Sequence, residues 1–217
     1  METRTVKRFR FFRGTSKDDV QRPIVTREAI ERLLDQRRFE EAGRALGGMA
    51  LSGDAWARYW LARLTANGLG MAKDDKRAAS LFMLAAQDGH APSQASLGFM
   101  YLAGRGVMHD EHAGIEWITK AAEGGDVGAQ LNLAKAYSEG KSVSVDDHAA
   151  AQWMSRAADS GSPEARLGFA IWTLLGRGVQ RDPQRAVDLL NPLAKSGNSE
   201  AAHWLERALL EAAGEQR

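Results

Sequence analysis

The chain of 217 residues contains no cysteine. Without thiols it can form neither disulfide bonds nor thiolate metal sites, which agrees with a reducing compartment. No apolar run approaches the roughly 18 residues that a membrane-spanning helix needs. The N-terminal segment METRTVKRFRFFRG also lacks the apolar core of a secretory signal. We therefore expect a cytoplasmic protein that is not integral to a membrane.

An excess of positive charge is restricted to the N-terminal segment. Residues 1–22 contain seven Lys and Arg against three Asp and Glu, whereas the remaining residues contain 22 basic and 25 acidic side chains. The body of the chain therefore has no general attraction for nucleic acid, and we do not expect it to bind nucleic acid. Residues 1–22 are predicted to form a basic, flexible arm.

Glycine followed by a polar residue recurs every 36 residues. The pairs begin at positions 53, 89, 125, 161 and 197. The same step aligns a leucine-type column, a glycine column and an aspartate column, which contain Leu61, Leu97, Leu133, Phe169 and Leu205; Gly68, Gly104, Gly140 and Gly176; and Asp74, Asp110, Asp146 and Asp182. The period predicts four repeats, at 54–89, 90–125, 126–161 and 162–197. Residues 23–53 are read as a degenerate leading helical repeat and residues 198–217 as a C-terminal capping helix.

Each repeat is predicted to contain two helices. In the second repeat, apolar residues recur at three- and four-residue spacing from about 91 to 103 and again from about 110 to 123. Short polar side chains begin the helices, and glycines follow them. Gly104 and Gly106 recur in the other repeats and follow a helix each time, so they indicate an interhelical turn rather than a phosphate-binding loop.

These columns resemble the Sel-one-like repeat family, a subclass of the tetratricopeptide-like α-solenoids. The second repeat carries the pattern nearly whole, with Leu97-Gly98, Tyr101, Gly104-Arg105-Gly106-Val107, Asp110, Trp117, Lys120-Ala121-Ala122 and Gly125. The fourth repeat departs from it at Thr173 and Leu189. The resemblance implies an all-α superhelical solenoid of stacked antiparallel helix pairs. It further implies a protein-binding role, in bacteria often within signalling, envelope or virulence assemblies.

By similarity to the family, side chains at fixed offsets from the leucine column face a concave wall. The partner-binding candidates on that wall are Trp56, Tyr59, Arg63, Phe99, Leu102, Lys135, Ile171, Leu174, His203 and Arg207. Apolar anchors with spaced cations suit an amphipathic or acidic segment of a partner protein. A competing interpretation places the leucines, Phe99 and Ile171 in the core, and packing against the leading helices also explains Trp56 and Tyr59.

The leading functional hypothesis is a non-enzymatic adaptor that needs no cofactor. Two alternatives stay open. His109 and His112 flank a helix start and form a candidate metal cluster, although a surface loop with a capping aspartate explains the same residues. The basic arm, with Phe9, Phe11 and Phe12 between cations, either covers the first helices or contacts an acidic partner, a membrane surface or a nucleic acid.

Overall fold

The computed structural model describes residues 26–215, and every regular element in that range is an α-helix. The eleven helices are α1 (Arg27–Asp35), α2 (Phe39–Leu51), α3 (Ala55–Asn67), α4 (Asp75–Gln87), α5 (Ala91–Ala103), α6 (Glu111–Glu123), α7 (Val127–Glu139), α8 (Asp147–Asp159), α9 (Pro163–Leu175), α10 (Pro183–Lys195) and α11 (Ser199–Glu215). Each helix packs against the next one along the chain. This consecutive packing of helix pairs confirms the predicted all-α solenoid.

The polar residue before most helices caps the first turn, as predicted. Asp54 accepts a hydrogen bond from the backbone N–H of Ala57 at 2.8 Å, and Asp110 accepts one from Ala113 at 2.9 Å. The same contact recurs at Thr26, Asp74, Asp126, Asp146, Ser162, Asp182 and Asn198. Each cap satisfies an N–H group that has no partner within its helix, so it fixes where the helix begins.

His90 occupies the capping position of α5 but does not cap it. Its Nδ1 lies 2.8 Å from the hydroxyl of the buried Ser93, and its ring lies 5.0 Å from that of Tyr59. Partial burial and the positive charge of Arg27 lower the pKa of the His90 imidazole below its ordinary value of 6.5. Asp54 and Asp126 oppose that shift without reversing it.

Replacing His90 with asparagine is expected to stabilise the protein and to reduce its sensitivity to acid. The folded state binds the His90 proton less readily than the unfolded state, so this residue's contribution is complete above about pH 6.5 and declines as the pH falls. Asparagine caps helices well, and we expect the free energy of unfolding at pH 7 to rise by about 1 kcal/mol. Urea unfolding at pH 7 and pH 5 measures both effects.

The result that would contradict this role is an unchanged pH dependence. If His90→Asn retains the wild-type difference in stability between pH 7 and pH 5, the titration of His90 does not contribute to that difference.

The interhelical turns hold glycines in the left-handed region. Gly104 and Gly106 have φ values of 61° and 69°, which confirms their assignment to a turn. A Cβ atom at Gly106 would overlap the carbonyl oxygen of Asp75 in the preceding repeat. Gly178 approaches Asp147 in the same way, so these glycines allow one repeat to pack directly on the one before. In the third repeat this position is Ser142, which keeps a left-handed φ of 58°.

A large part of the core lies where the first helix of one repeat packs on the second helix of the repeat before. Leu61, Leu97, Leu133 and Phe169 from the leucine column are all buried. Leu97, Leu133 and Phe169 cluster with small side chains of the preceding second helix, which include Ala78, Ala86, Ala121, Ala122, Ala157 and Ala158. These alanines let the helices of successive repeats approach closely.

A candidate protein-binding face

Two pockets lie side by side on the face formed by the first helices of the repeats. The α3–α5 pocket has a volume of about 330 Å³. Its lining residues are Arg63, Ala66, Asn67, Phe82, Ser96, Phe99, Met100, Ala103 and Arg105. The α5–α7 pocket has a volume of about 310 Å³. Its lining residues are Phe99, Leu102, Ile115, Ile118, Asn132, Leu133, Lys135, Ala136, Lys141 and Ser142.

The two pockets are the same structural position in consecutive repeats. Adding one 36-residue period to seven residues of the first pocket gives seven residues of the second, and the pairs are Arg63 and Phe99, Ala66 and Leu102, Phe82 and Ile118, Ser96 and Asn132, Phe99 and Lys135, Met100 and Ala136, and Arg105 and Lys141. Phe99 lines both pockets and is 42% exposed. Exposed aromatic side chains of this kind are enriched in protein–protein interfaces, so Phe99 is a candidate contact residue.

Among the residues that the structure describes, four cations and no carboxylate line the two pockets. Arg63 lies over the Trp60 ring, with its guanidinium carbon 4.6 Å from the ring centroid. Arg105 pairs with Asp75 at 2.8 Å, and the Arg105 hydrogen bond lowers the pKa of that carboxyl. The surface around the pockets therefore favours a partner with negative charge.

Lys135 and Lys141 share one carboxylate at the rim of the α5–α7 pocket. Lys141 lies 2.7 Å from a Glu139 oxygen, and Lys135 lies 4.0 Å from the other. The Lys141 hydrogen bond holds the pKa of Glu139 below its usual value. Two cations against one anion leave this rim with a net positive charge.

The aromatic candidates of the first repeat are half-buried. Trp56 packs against the leading helices, with Arg27 over its ring at 5.4 Å. Tyr59 packs beside Phe82 at 6.0 Å. Arg63, by contrast, is exposed and lines the α3–α5 pocket. The structure therefore joins Arg63 to Phe99, while Trp56 and Tyr59 mainly support the helix beneath them.

Leu174 is a core residue, which contradicts its assignment to the binding face. Its side chain is 0% exposed and packs with Leu190, Leu193 and Ala208. The helices α9 and α11 contact each other directly, and Leu174 is enclosed between neighbouring elements as a result. The half-buried Ile171 lies one turn earlier on α9 and lines neither of the two pockets.

The candidates on α11 are exposed but lie outside the two pockets. His203 contacts the Trp204 ring at 6.1 Å. Arg207 donates a hydrogen bond to Glu211 at 2.8 Å and lies over Trp204 at 5.4 Å. The hydrogen bonds from Arg207 and Arg181 lower the pKa of Glu211. These two candidates are therefore exposed side chains at the far end of the helix array, not part of the Phe99 site.

The metal hypothesis gains no support from the described part of the chain. Within residues 26–215, no three His, Asp or Glu side chains are grouped closely enough to hold a metal ion, so His109 and His112 have no third ligand there. Asp110 between them caps α6.

The basic arm at residues 1–22 lies outside the described residues, and its role stays a prediction.

Sequence reasoning did not identify Ile115, Ile118, Lys141 or Ser142 as pocket residues. Ile115 and Ile118 belong to a second helix, and the family offsets concern first helices only. Ser142 left a visible signal, since it stands in the column occupied by Gly70, Gly106 and Gly178. That departure from glycine marks the third repeat as different from its neighbours.

The structure also contains no helix, within residues 26–215, that is both long and apolar enough to cross a membrane.

Comparison with known proteins identifies the repeat. The Sel1 repeat matches residues 57–90, 91–126, 127–162, 164–198 and 198–211. These matches begin one to three residues after the boundaries predicted from the glycine period, and the last one falls within the predicted capping helix. A search of curated proteins found no match.

Two solved structures are similar to most of this chain. The Sel1 repeat protein from Oxalobacter formigenes is 33% identical with a TM-score of 0.73, over 78% of this chain and 49% of that protein. The protective antigen c5321 from uropathogenic Escherichia coli, which displays an SLR fold, is 32% identical with a TM-score of 0.72, over 80% of this chain and 37% of that protein. This chain thus matches less than half the length of either protein. The repeats, the helix pairs and these similarities together place the chain in the Sel1 repeat family.

Proposed function

We propose that this protein is an interaction scaffold that binds a segment of a partner protein along the first-helix face. The observation that carries the proposal is the pair of equivalent pockets joined by the exposed Phe99 ring. Solenoids of this kind present extended surfaces built from successive repeats, and they typically mediate protein interactions. The proposal requires no catalytic chemistry and no cofactor.

The spacing of the pockets suits a polypeptide. The two pockets share Phe99 as a lining residue, so they are adjacent on this face. An extended chain advances about 3.3 Å per residue and a helix about 1.5 Å per residue, so a short segment reaches from one pocket to the next. Two side chains of one segment can therefore occupy both pockets at once. The four lining cations favour an acidic or amphipathic segment.

Site-specific photo-crosslinking from position 99 tests the proposal. We expect Phe99 replaced by p-benzoylphenylalanine to trap a discrete partner in living cells of the source organism, because the probe stands between the two pockets. Mass spectrometry identifies the crosslinked peptide in both proteins. Unlabelled wild-type protein in excess should suppress the product, since specific binding is saturable.

Leu84 provides a matched control position. It is 46% exposed on α4, the second helix of its repeat, and lines neither pocket. The same probe at position 84 should not give the product obtained at position 99. Identical products from both positions, or no product from position 99, would contradict a binding role for this face.

A further inference from the structure

The α5–α7 pocket differs from its equivalent in the repeat before, and the difference points to a particular partner chemistry. We infer that this pocket anchors one bulky apolar side chain of a partner segment, that acidic residues flank the anchor, and that Ser142 keeps the pocket open. The inference rests on the proposed function and specifies the ligand of the same face.

Ser142 prevents the third repeat from packing on the second as the other repeats pack. A Cβ atom at Gly106 would overlap the Asp75 carbonyl, and one at Gly178 would overlap the Asp147 carbonyl. Ser142 has a real Cβ atom in the corresponding place, so its turn cannot approach the first turn of α6 as closely. Ser142 instead lines the α5–α7 pocket.

Lys141, the residue before Ser142, forms a different ion pair from the equivalent arginines of the neighbouring repeats. Arg105 and Arg177 each bind the first-turn aspartate of the preceding second helix, Asp75 at 2.8 Å and Asp147 at 2.9 Å. The equivalent Lys141 binds Glu139 within its own turn and lines the pocket. Arg105 lines the α3–α5 pocket while it pairs with the preceding repeat, whereas Lys141 lines the α5–α7 pocket and pairs with a carboxylate of its own repeat.

Two positions around this pocket carry larger aliphatic side chains than the equivalent positions one repeat earlier. Leu102 stands where the first pocket has Ala66, and Ile115 corresponds to Ala79, which does not line the first pocket. Ile118 and Leu133 are buried beneath the opening. An apolar side chain that enters this pocket contacts aliphatic groups on several sides, and each buried CH₂ contributes about 0.8 kcal/mol in general.

The positive charge at the rim of the α5–α7 pocket determines which partner residues can flank the apolar side chain. Lys135 and Lys141 lie at the rim and both pair with Glu139, and Phe99 lies between this pocket and the one lined by Arg63 and Arg105. Acidic residues beside the anchor gain favourable contacts with these cations, whereas basic residues are repelled. The best occupant is therefore Leu, Ile, Met or Phe within a run of Asp and Glu.

Fluorescence anisotropy with four sets of designed 12-residue peptides tests this inference. Every peptide carries fluorescein. Three sets have a central Leu, Ile, Met or Phe and differ in having acidic, serine or basic flanks. A fourth set has acidic flanks and a central glycine. We expect measurable saturable binding for acidic peptides with an apolar centre, and at least tenfold weaker binding for the other three sets.

Protein variants locate the binding. K135E/K141E should weaken binding of the best acidic peptide at least tenfold, while K76E/K195E, which makes the same charge change at exposed lysines outside both pockets, should weaken it less than threefold. K141R/S142G restores the Gly-Arg-Gly turn of the second and fourth repeats and should also weaken binding at least tenfold. Far-ultraviolet circular dichroism verifies that each variant is folded.

The possible outcomes separate this inference from the proposed function. Three results would overturn the proposed apolar anchor with acidic flanks. They are equal binding of peptides with all three types of flank, no binding of the acidic peptides, and unchanged binding of the best acidic peptide by folded K135E/K141E. Unchanged binding by K141R/S142G overturns the role of Ser142. If crosslinking from position 99 still traps a partner in those cases, the scaffold function stands and only the partner chemistry is wrong.

Discussion

Gly106→Ala is expected to lower the free energy of unfolding by about 2–5 kcal/mol. The left-handed backbone at this position, with φ of 69°, costs an L-residue about 1–2 kcal/mol. The new methyl group also overlaps the Asp75 carbonyl, and relieving such overpacking typically costs about 1–3 kcal/mol. The second cost falls on the contact between the first and second repeats. Urea unfolding monitored by circular dichroism measures the loss.

Gly125→Ala separates the two costs. Gly125 has a φ of 88°, yet a Cβ atom there meets nothing within 4 Å. This variant should therefore lose only the backbone part, about 1–2 kcal/mol. If both alanine variants lose the same amount, the close approach of the turn to Asp75 contributes nothing to stability.

Leu174→Ala is expected to cost about 2–5 kcal/mol, because it leaves a cavity in the core between α9, α10 and α11. Leu175 is its matched control, since the neighbouring leucine is 48% exposed and its truncation should cost less than about 1 kcal/mol. Thermal and urea unfolding of the two variants provide the comparison. A Leu174→Ala protein as stable as wild type would return Leu174 to the list of surface candidates.

Much of the fold could be predicted because the repeat signals are local. Asp54 and Asp110 cap helices where the sequence places them, and Gly104 and Gly106 form the turn that their recurrence indicates. A cap or a left-handed glycine depends on only a few neighbouring residues. Each local rule was then repeated at a fixed step along the chain, which made the helix bounds easy to infer.

The candidate face was harder to predict because exposure depends on distances between repeats. Leu102 and Leu174 occupy equivalent positions in the period, but Leu102 lines a pocket and Leu174 is fully buried. The difference arises where α9 contacts α11 directly. The position of a residue within the 36-residue period does not by itself give the distance between helices. Ser142 was visible as an exception, but its effect required the position of the preceding repeat.

The position of Phe99 has an energetic consequence for any bound segment. One ring forms a wall of both pockets, so we expect rotation about its χ1 torsion to enlarge one pocket at the expense of the other. Contacts in the two pockets are then thermodynamically coupled, and their contributions to affinity will not add. A double-mutant cycle between one partner side chain in each pocket would show a coupling energy that disappears when Phe99 is alanine.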